Sequence, residues 1–356
     1  MTIRHEYDKL FKEEKNKLNI SAARKRLKFI LEEGCDIMVD KTRARHLPEW
    51  FDEELFISGQ KCYLSNIYTA FIVNVIGLIL VASIPTVIDV VVLTNKSNTP
   101  FKAYKRYTDT LQHVLNWYTY DVKDMKSKCQ KSISVVHGLH CAASQASNKC
   151  GLGKRVTQTD MAISQFIFMG LILLKKKELG FSCTENDEMA IVHLWRTLGY
   201  FLGIDDNSYY RFRFNLCQGT LEEVRDLCAV VLSDVYTPSL SLPPKDFDCI
   251  VEAMIEGFKP VLPIIDLKAI MRYTRELCYL PTKPLTSYKS RWLYNVQELI
   301  HNTLLTKQWL AWACRPILNY LLRISVWINM NFPVIAAIKF GTRAFHDIEE
   351  PHNHIN

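Results

Sequence analysis

Apolar and polar positions along this chain recur mostly at helical spacing, and no stretch alternates long enough to read as a β-strand. The expectation is an all-α protein, one large globular helical domain with a core of long apolar helices. Residues 1–46 alternate clusters of both charge signs and predict a helical arm ending near Gly34. Leu47-Pro-Glu-Trp-Phe then breaks the pattern, with Pro48 fixing the turn. From 62 to 88 run 27 residues without a formal charge. That length reads either as a core helix buried on all sides or as a membrane span, while Asn66, Asn74 and Pro85 weaken the second reading.

Legible helix ends come next. Thr184 and Asp187 form a capping box that opens a helix carrying His193, Trp195 and Arg196. Upstream, Asp160 is expected to cap a helix that finishes in Lys175-Lys-Lys and stops at Gly180. The stretch 238–244, PSLSLPP, reads as a loop. The chain thus divides into the arm, a helical domain over 47–305 and a C-terminal segment over 306–356. Between 308 and 345 that last segment holds four cations and no acidic residue, with Trp309, Trp312 and Trp327 among Leu and Ile and with Pro316 and Pro333 as breaks. It suits a helix lying in a membrane interface, and equally a helix pair closing the core.

Composition narrows the class. With 48% hydrophobic and 23% charged residues the chain has the balance of a folded protein rather than a disordered one. The net charge of +7 comes without a dense basic stripe, so nucleic acid is not expected as a partner, whereas an anionic membrane surface is compatible. Eleven cysteines, none in a CxxC pair, read as reduced, mostly buried thiols of a domain facing the cytosol. The first residues are too charged for a secretory signal, and the Asn19 and Asn95 sequons occur too easily by chance to overturn that reading.

The segment SISVVHGLHCAAS, 132–144, is the best candidate for chemistry. On a helix, Ile133, Val136, His137, His140 and Ala143 share one face, and two imidazoles on an apolar face need partners. Small neighbours, among them Gly138 and Ala142, would let a large flat ligand come close. Read from this segment alone, His140 is a satisfied core histidine more readily than a ligand. A zinc site of His137, His140 and Cys141 or His113 lacks a strong spacing signal, and CGLGKR at 150–155 is not a P-loop. His193, Trp195 and Arg196 read as a packing cluster in which Arg196 pairs with Asp205 or Asp206, or as the far wall of a pocket.

Several ordered segments carry a resemblance: LPEWFDEELFISGQ at 47–60, GLILVASIPTVIDVVVLTNKS at 77–97, KAYKRYTDT at 102–110, VVHGLHCAAS at 135–144, VTQTDMAISQFIFMGLILL at 156–174 and HLWRTLGYFLGIDD at 193–206. Together these resemble the catalytic domain shared by latex-clearing-protein-type rubber oxygenases and the endoplasmic-reticulum-bound oxygenase of the mycophenolic acid pathway, with the opening motif similar to that of animal, arthropod-like members. The resemblance implies an all-α fold, haem b bound through His140, and dioxygen chemistry on a hydrophobic, isoprenoid or lipid substrate. It implies that Arg106 and Thr110, matching an R-x-x-x-T element, lie near the haem, and it suggests a membrane-associated protein, at the endoplasmic reticulum. The chain departs from the family pattern at three positions. His137 and Ser144 stand where R-x-x-H-x-x-x-R has its two arginines, and Asp109 stands where a lysine precedes the threonine. Two cations beside a dianionic porphyrin are thereby lost. The alternative is therefore a non-catalytic relative of the same fold that binds a lipid or serves a structural role at a membrane.

Overall fold

A computed structural model describes residues 19–39, 46–206 and 214–345. Residues 1–18 of the arm and 346–356 of the C-terminal segment lie outside the described residues. Helix α1 (19–33) packs Ala23, Leu27 and Ile30 against the body, and Arg26 donates to the Gln218 and Asn215 carbonyls. The charged arm therefore has an apolar stripe. Helices then succeed one another as the pattern implies, and the β-pairing among the described residues is an isolated bridge between Met38 and Thr157. One continuous core runs from Ala23 to Val326.

The uncharged stretch 62–88 is not one helix. It is divided among the end of α2 (Glu53–Ser65), α3 (Ile67–Ala82) and the start of α4 (Pro85–Leu93). The α2–α3 joint bends by 91° at Asn66. Such a bend orphans backbone groups, and Asn319 repairs two of them: its Oδ1 accepts from Tyr68 N at 3.0 Å and its Nδ2 donates to Ser65 O at 2.7 Å. Asn66 itself bonds the Ser182 backbone. Pro85 occupies the first turn of α4, where it lacks only an N–H that would be unpaired anyway. No single helix among the described residues is long and apolar enough to cross a membrane.

Helix α3 is the central strut, buried along nearly its whole length. It crosses α7 (Gln158–Lys175) so closely that a Cβ on Gly77 would come within 2.7 Å of the Ile167 carbonyl oxygen. Around this pair, α2 packs on α8 (Glu185–Phe201), and α5 (Pro100–Thr119) lies between α6 (Lys128–Lys149) and α11 (Phe247–Phe258). Helix α9 (Leu221–Val231) covers α7, while α12 (Leu267–Leu277) and α13 (Tyr288–Leu299) close one end.

Three local expectations are corrected. The N-cap of α7 is Thr157, and Asp160 is its N3 partner in a capping box. The expected 238–244 loop begins with α10 (Thr237–Ser241), because Pro238 sits in a first helical turn, where proline is tolerated. Pro316 lies inside α14 (Gln308–Asn331) rather than ending it. It is on the exposed side, so the carbonyl it frees can turn to solvent.

Helix α14 has two faces. Asn319, Leu322, Val326 and Asn329 are buried, and Arg315 turns inward to the Gly180 and Leu305 carbonyls. Trp309, Trp312, Tyr320 and Trp327 are exposed, and Ile338 of α15 (Val334–Phe340) extends that surface. The segment closes the core with one face and presents aromatic side chains with the other.

Candidate functional site

Helix α6 starts at Ser127, whose side chain caps Gln130 N, and α5 starts at Thr99 with Pro100 in its first turn. The two run antiparallel. His113 Nδ1 and Ser132 Oγ are 2.8 Å apart, and seven residues back along α5 Arg106 comes into electrostatic range of His140. Arg106, Thr110 and His113, spaced i, i+4 and i+7, line one face of α5 toward α6.

His140 sits in the middle of the inward arc of α6, among Ile133, His137, Ser144 and Ser147, which are all nearly sealed. As a residue His140 keeps some accessible surface, but its Nδ1 is shut off from solvent and has no hydrogen-bond partner. Opposite it, Arg106 and Thr110 are also half-buried. Of α4, an apolar helix, only Ile88 is fully buried, and Val87, Val90 and Val91 remain half-buried or less. Burial, the nearby His137 and then the Arg106 cation push the His140 pKa down to about 4, so the imidazole is neutral and keeps a lone pair.

The other expected residues have other engagements. The Arg106 guanidinium donates to Ser97 Oγ at 3.1 Å and Thr94 Oγ1 at 3.4 Å, holding the turn after α4. Thr110 Oγ1 donates back to the Arg106 carbonyl at 2.9 Å. Asp109 lies on the exposed face of α5 and bears on Tyr104. His137 packs beside Cys141 and against Gly203, which at φ +95° leaves no room for a side chain next to that ring. Ser144 donates to the Arg155 carbonyl at 2.7 Å, and the Arg155 side chain pairs with Asp89 of α4. The structure therefore brings Arg106 and His137 into electrostatic range of His140, while Thr110 and Ser144 are engaged with backbone carbonyls and Asp109 lies on the exposed face of α5.

The residues fit a haem in two respects: they offer a neutral imidazole with a sealed, unpaired nitrogen, and a cation at Arg106 for a carboxylate. A zinc centre is not supported, because among the described residues no three His, Cys, Asp or Glu gather to hold a metal ion. His193, Trp195 and Arg196 form the packing cluster: Arg196 pairs with Asp206 at 3.0 Å and lies 3.8 Å over the Trp50 ring. Trp195 Nε1 donates to Tyr63 OH at 2.7 Å, and His193 Nε2 accepts from Asp52 N.

One histidine carried no sequence signal. His301 lies in a π-helical turn (Ile300–Leu304), is fully buried, and stacks against Tyr68 and Tyr273. Its Nδ1–H donates to Leu179 O at 2.7 Å, and burial pushes its pKa to about 4.

Among solved structures, that of latex clearing protein in the closed state superposes with a TM-score of 0.57 at 15% identity, over 80% of this chain and 76% of that one. No family model matches the chain, and no curated protein does. At that identity the likeness is one of fold, and in fold it agrees with the all-α expectation.

Proposed function

We propose that this protein binds haem b in the α4–α5–α6 seam and is an oxygenase-like protein acting on a hydrophobic substrate. The observation that carries the reading is His140: neutral, central on the inward arc of α6, and with a sealed Nδ1 that no hydrogen bond takes up. His140 would hold the iron and Arg106 would meet a propionate. Bound there, haem would supply redox chemistry toward dioxygen. The chain's own part is to keep His140 neutral and to fix Arg106 through Ser97 and Thr94. We also propose that the aromatic face of α14 and α15, where 308–345 contains cations and no acids, rests on an anionic membrane surface.

A second reading, a non-catalytic relative that keeps the fold, is favoured by the engagements of Ser144 and His137 and by the exposure of Asp109. Purified protein supplied with haem separates the two. The oxygenase-like reading expects a Soret band that His140→Ala abolishes and consumption of dioxygen with an unsaturated apolar substrate. A band without dioxygen consumption favours the non-catalytic relative, and no band in the wild type overturns the haem site.

A further inference from the structure

Helix α14 is built inside out. A helix on a protein surface in water turns its apolar stripe inward and its charges outward. In α14 the outward stripe is Trp309, Trp312, Ile317, Tyr320, Leu321 and Trp327, each more than half exposed and recurring at helical spacing. The polar residues face the protein instead. Arg315 donates to the Gly180 and Leu305 carbonyls, Asn319 joins Tyr68 N to Ser65 O, Ser325 Oγ donates to Val261 O, and Asn329 Nδ2 donates to Pro260 O at 2.9 Å. Arg323 keeps exposure but donates to Leu64 O at 2.8 Å. These two arginines are the formal charges of α14, so both are engaged with backbone carbonyls and the stripe between them and solvent is uncharged.

The flanks say what covers such a stripe. Lys307 precedes α14 and Arg343 follows α15, both exposed, while 308–345 contains no acidic residue. Cations beyond each end of an apolar stripe complement the phosphates that every phospholipid carries. A second copy of the chain would set those cations against cations. Tryptophan and tyrosine, with an apolar body and one polar atom, suit the level where headgroups give way to acyl chains. The inward face stays clasped to the body from Arg315 to Asn329, and α14 meets α15 at a 64° bend. The helix therefore presents half of its circumference along a membrane and does not stand across one. Helices of this kind sink about 5–10 Å into the headgroup and acyl boundary.

We propose that α14 is embedded in the plane of one leaflet, with its outward stripe among the upper acyl chains and Lys307 and Arg343 at the level of the phosphates. The proposal rests on the membrane reading given above and adds to it that acyl chains, rather than lipid charge, hold the protein. A neutral phospholipid bilayer is then sufficient.

The test floats full-length protein with vesicles of phosphatidylcholine alone and of an equal mixture with phosphatidylserine, at low salt and in about 1 M salt. Binding to the neutral vesicles is expected to survive the salt. Phosphatidylcholine brominated on the upper part of its acyl chains should quench the tryptophan fluorescence. Ile317→Glu and Leu321→Glu should each weaken binding to neutral vesicles at least about tenfold, and either stands in should the other not fold. Leu242→Glu, at a side chain 86% exposed just beyond α10, should leave it unchanged. Binding confined to the phosphatidylserine vesicles and lost in salt overturns the insertion and leaves the surface contact standing; binding to neither vesicle overturns both. Insertion also falls if the bromines leave the fluorescence unchanged, if both stripe variants bind as the wild type does, or if Leu242→Glu weakens binding as much as they do. A solution dimer that Ile317→Glu splits and that vesicles do not take up would assign the stripe to a second copy and overturn the proposal.

Discussion

His140 and His301 are both pushed down to about 4 by burial, and each keeps one sealed ring nitrogen without a partner. Their surroundings differ. His301 is fully enclosed, with Nδ1 oriented by the Leu179 carbonyl and the ring against two tyrosines, so its neutral state serves packing. His140 has His137 and the Arg106 cation in electrostatic range, and no hydrogen bond orients its Nδ1. A depressed pKa alone therefore does not mark a site; the unengaged Nδ1 and the nearby cation distinguish the two.

The comparison breaks most easily on stability. His301→Ala removes a ring from close packing together with its hydrogen bond, and should cost about 3–5 kcal/mol in urea denaturation. His140→Ala should cost less, about 1–2 kcal/mol, because no hydrogen bond of its Nδ1 is lost with the ring. Equal losses would mean that His140, like His301, serves packing. Acid comes next. Both histidines have folded pKa values below the ordinary 6.5, so the unfolded chain takes up protons first as the pH falls. The stability they allow is complete above pH 6.5 and declines toward pH 4, by on the order of 2–4 kcal/mol for each. Replacing either with leucine should remove its share of that slope in denaturation curves run across this range.

Arg106→Leu sharpens the seam itself. Losing the bonds to Ser97 and Thr94 should cost about 1–2 kcal/mol. Removing the neighbouring cation should also move the His140 titration upward, which NMR can follow. The smallest effect concerns the start of α7. Thr157→Ala breaks the capping box of α7, whose Asp160 also accepts from Thr86 of α4, and should lower the unfolding free energy by about 1 kcal/mol.

Much of this was legible in the chain. Helical periodicity fixes the class, and the Thr184–Asp187 capping box is where its pattern puts it. The face shared by Ile133, His137 and His140 turns inward as expected. Near α7 the run Thr157-Gln-Thr-Asp160 offers several capping residues, and only the backbone geometry chooses Thr157. The bend at Asn66 was hidden because its repair comes from Asn319, remote in sequence. His301 was hidden for the same reason: Tyr68, Leu179 and Tyr273 are distant along the chain and meet it only in the fold.

The most direct measurement is a haem titration of His140→Gly with and without added imidazole, beside the wild type, with denaturation curves to show that the variant stays folded. A haem ligand at His140 predicts a wild-type Soret band, its loss in the variant, and its return when imidazole occupies the space of the missing ring. A folded variant that keeps the wild-type spectrum without imidazole would contradict that assignment.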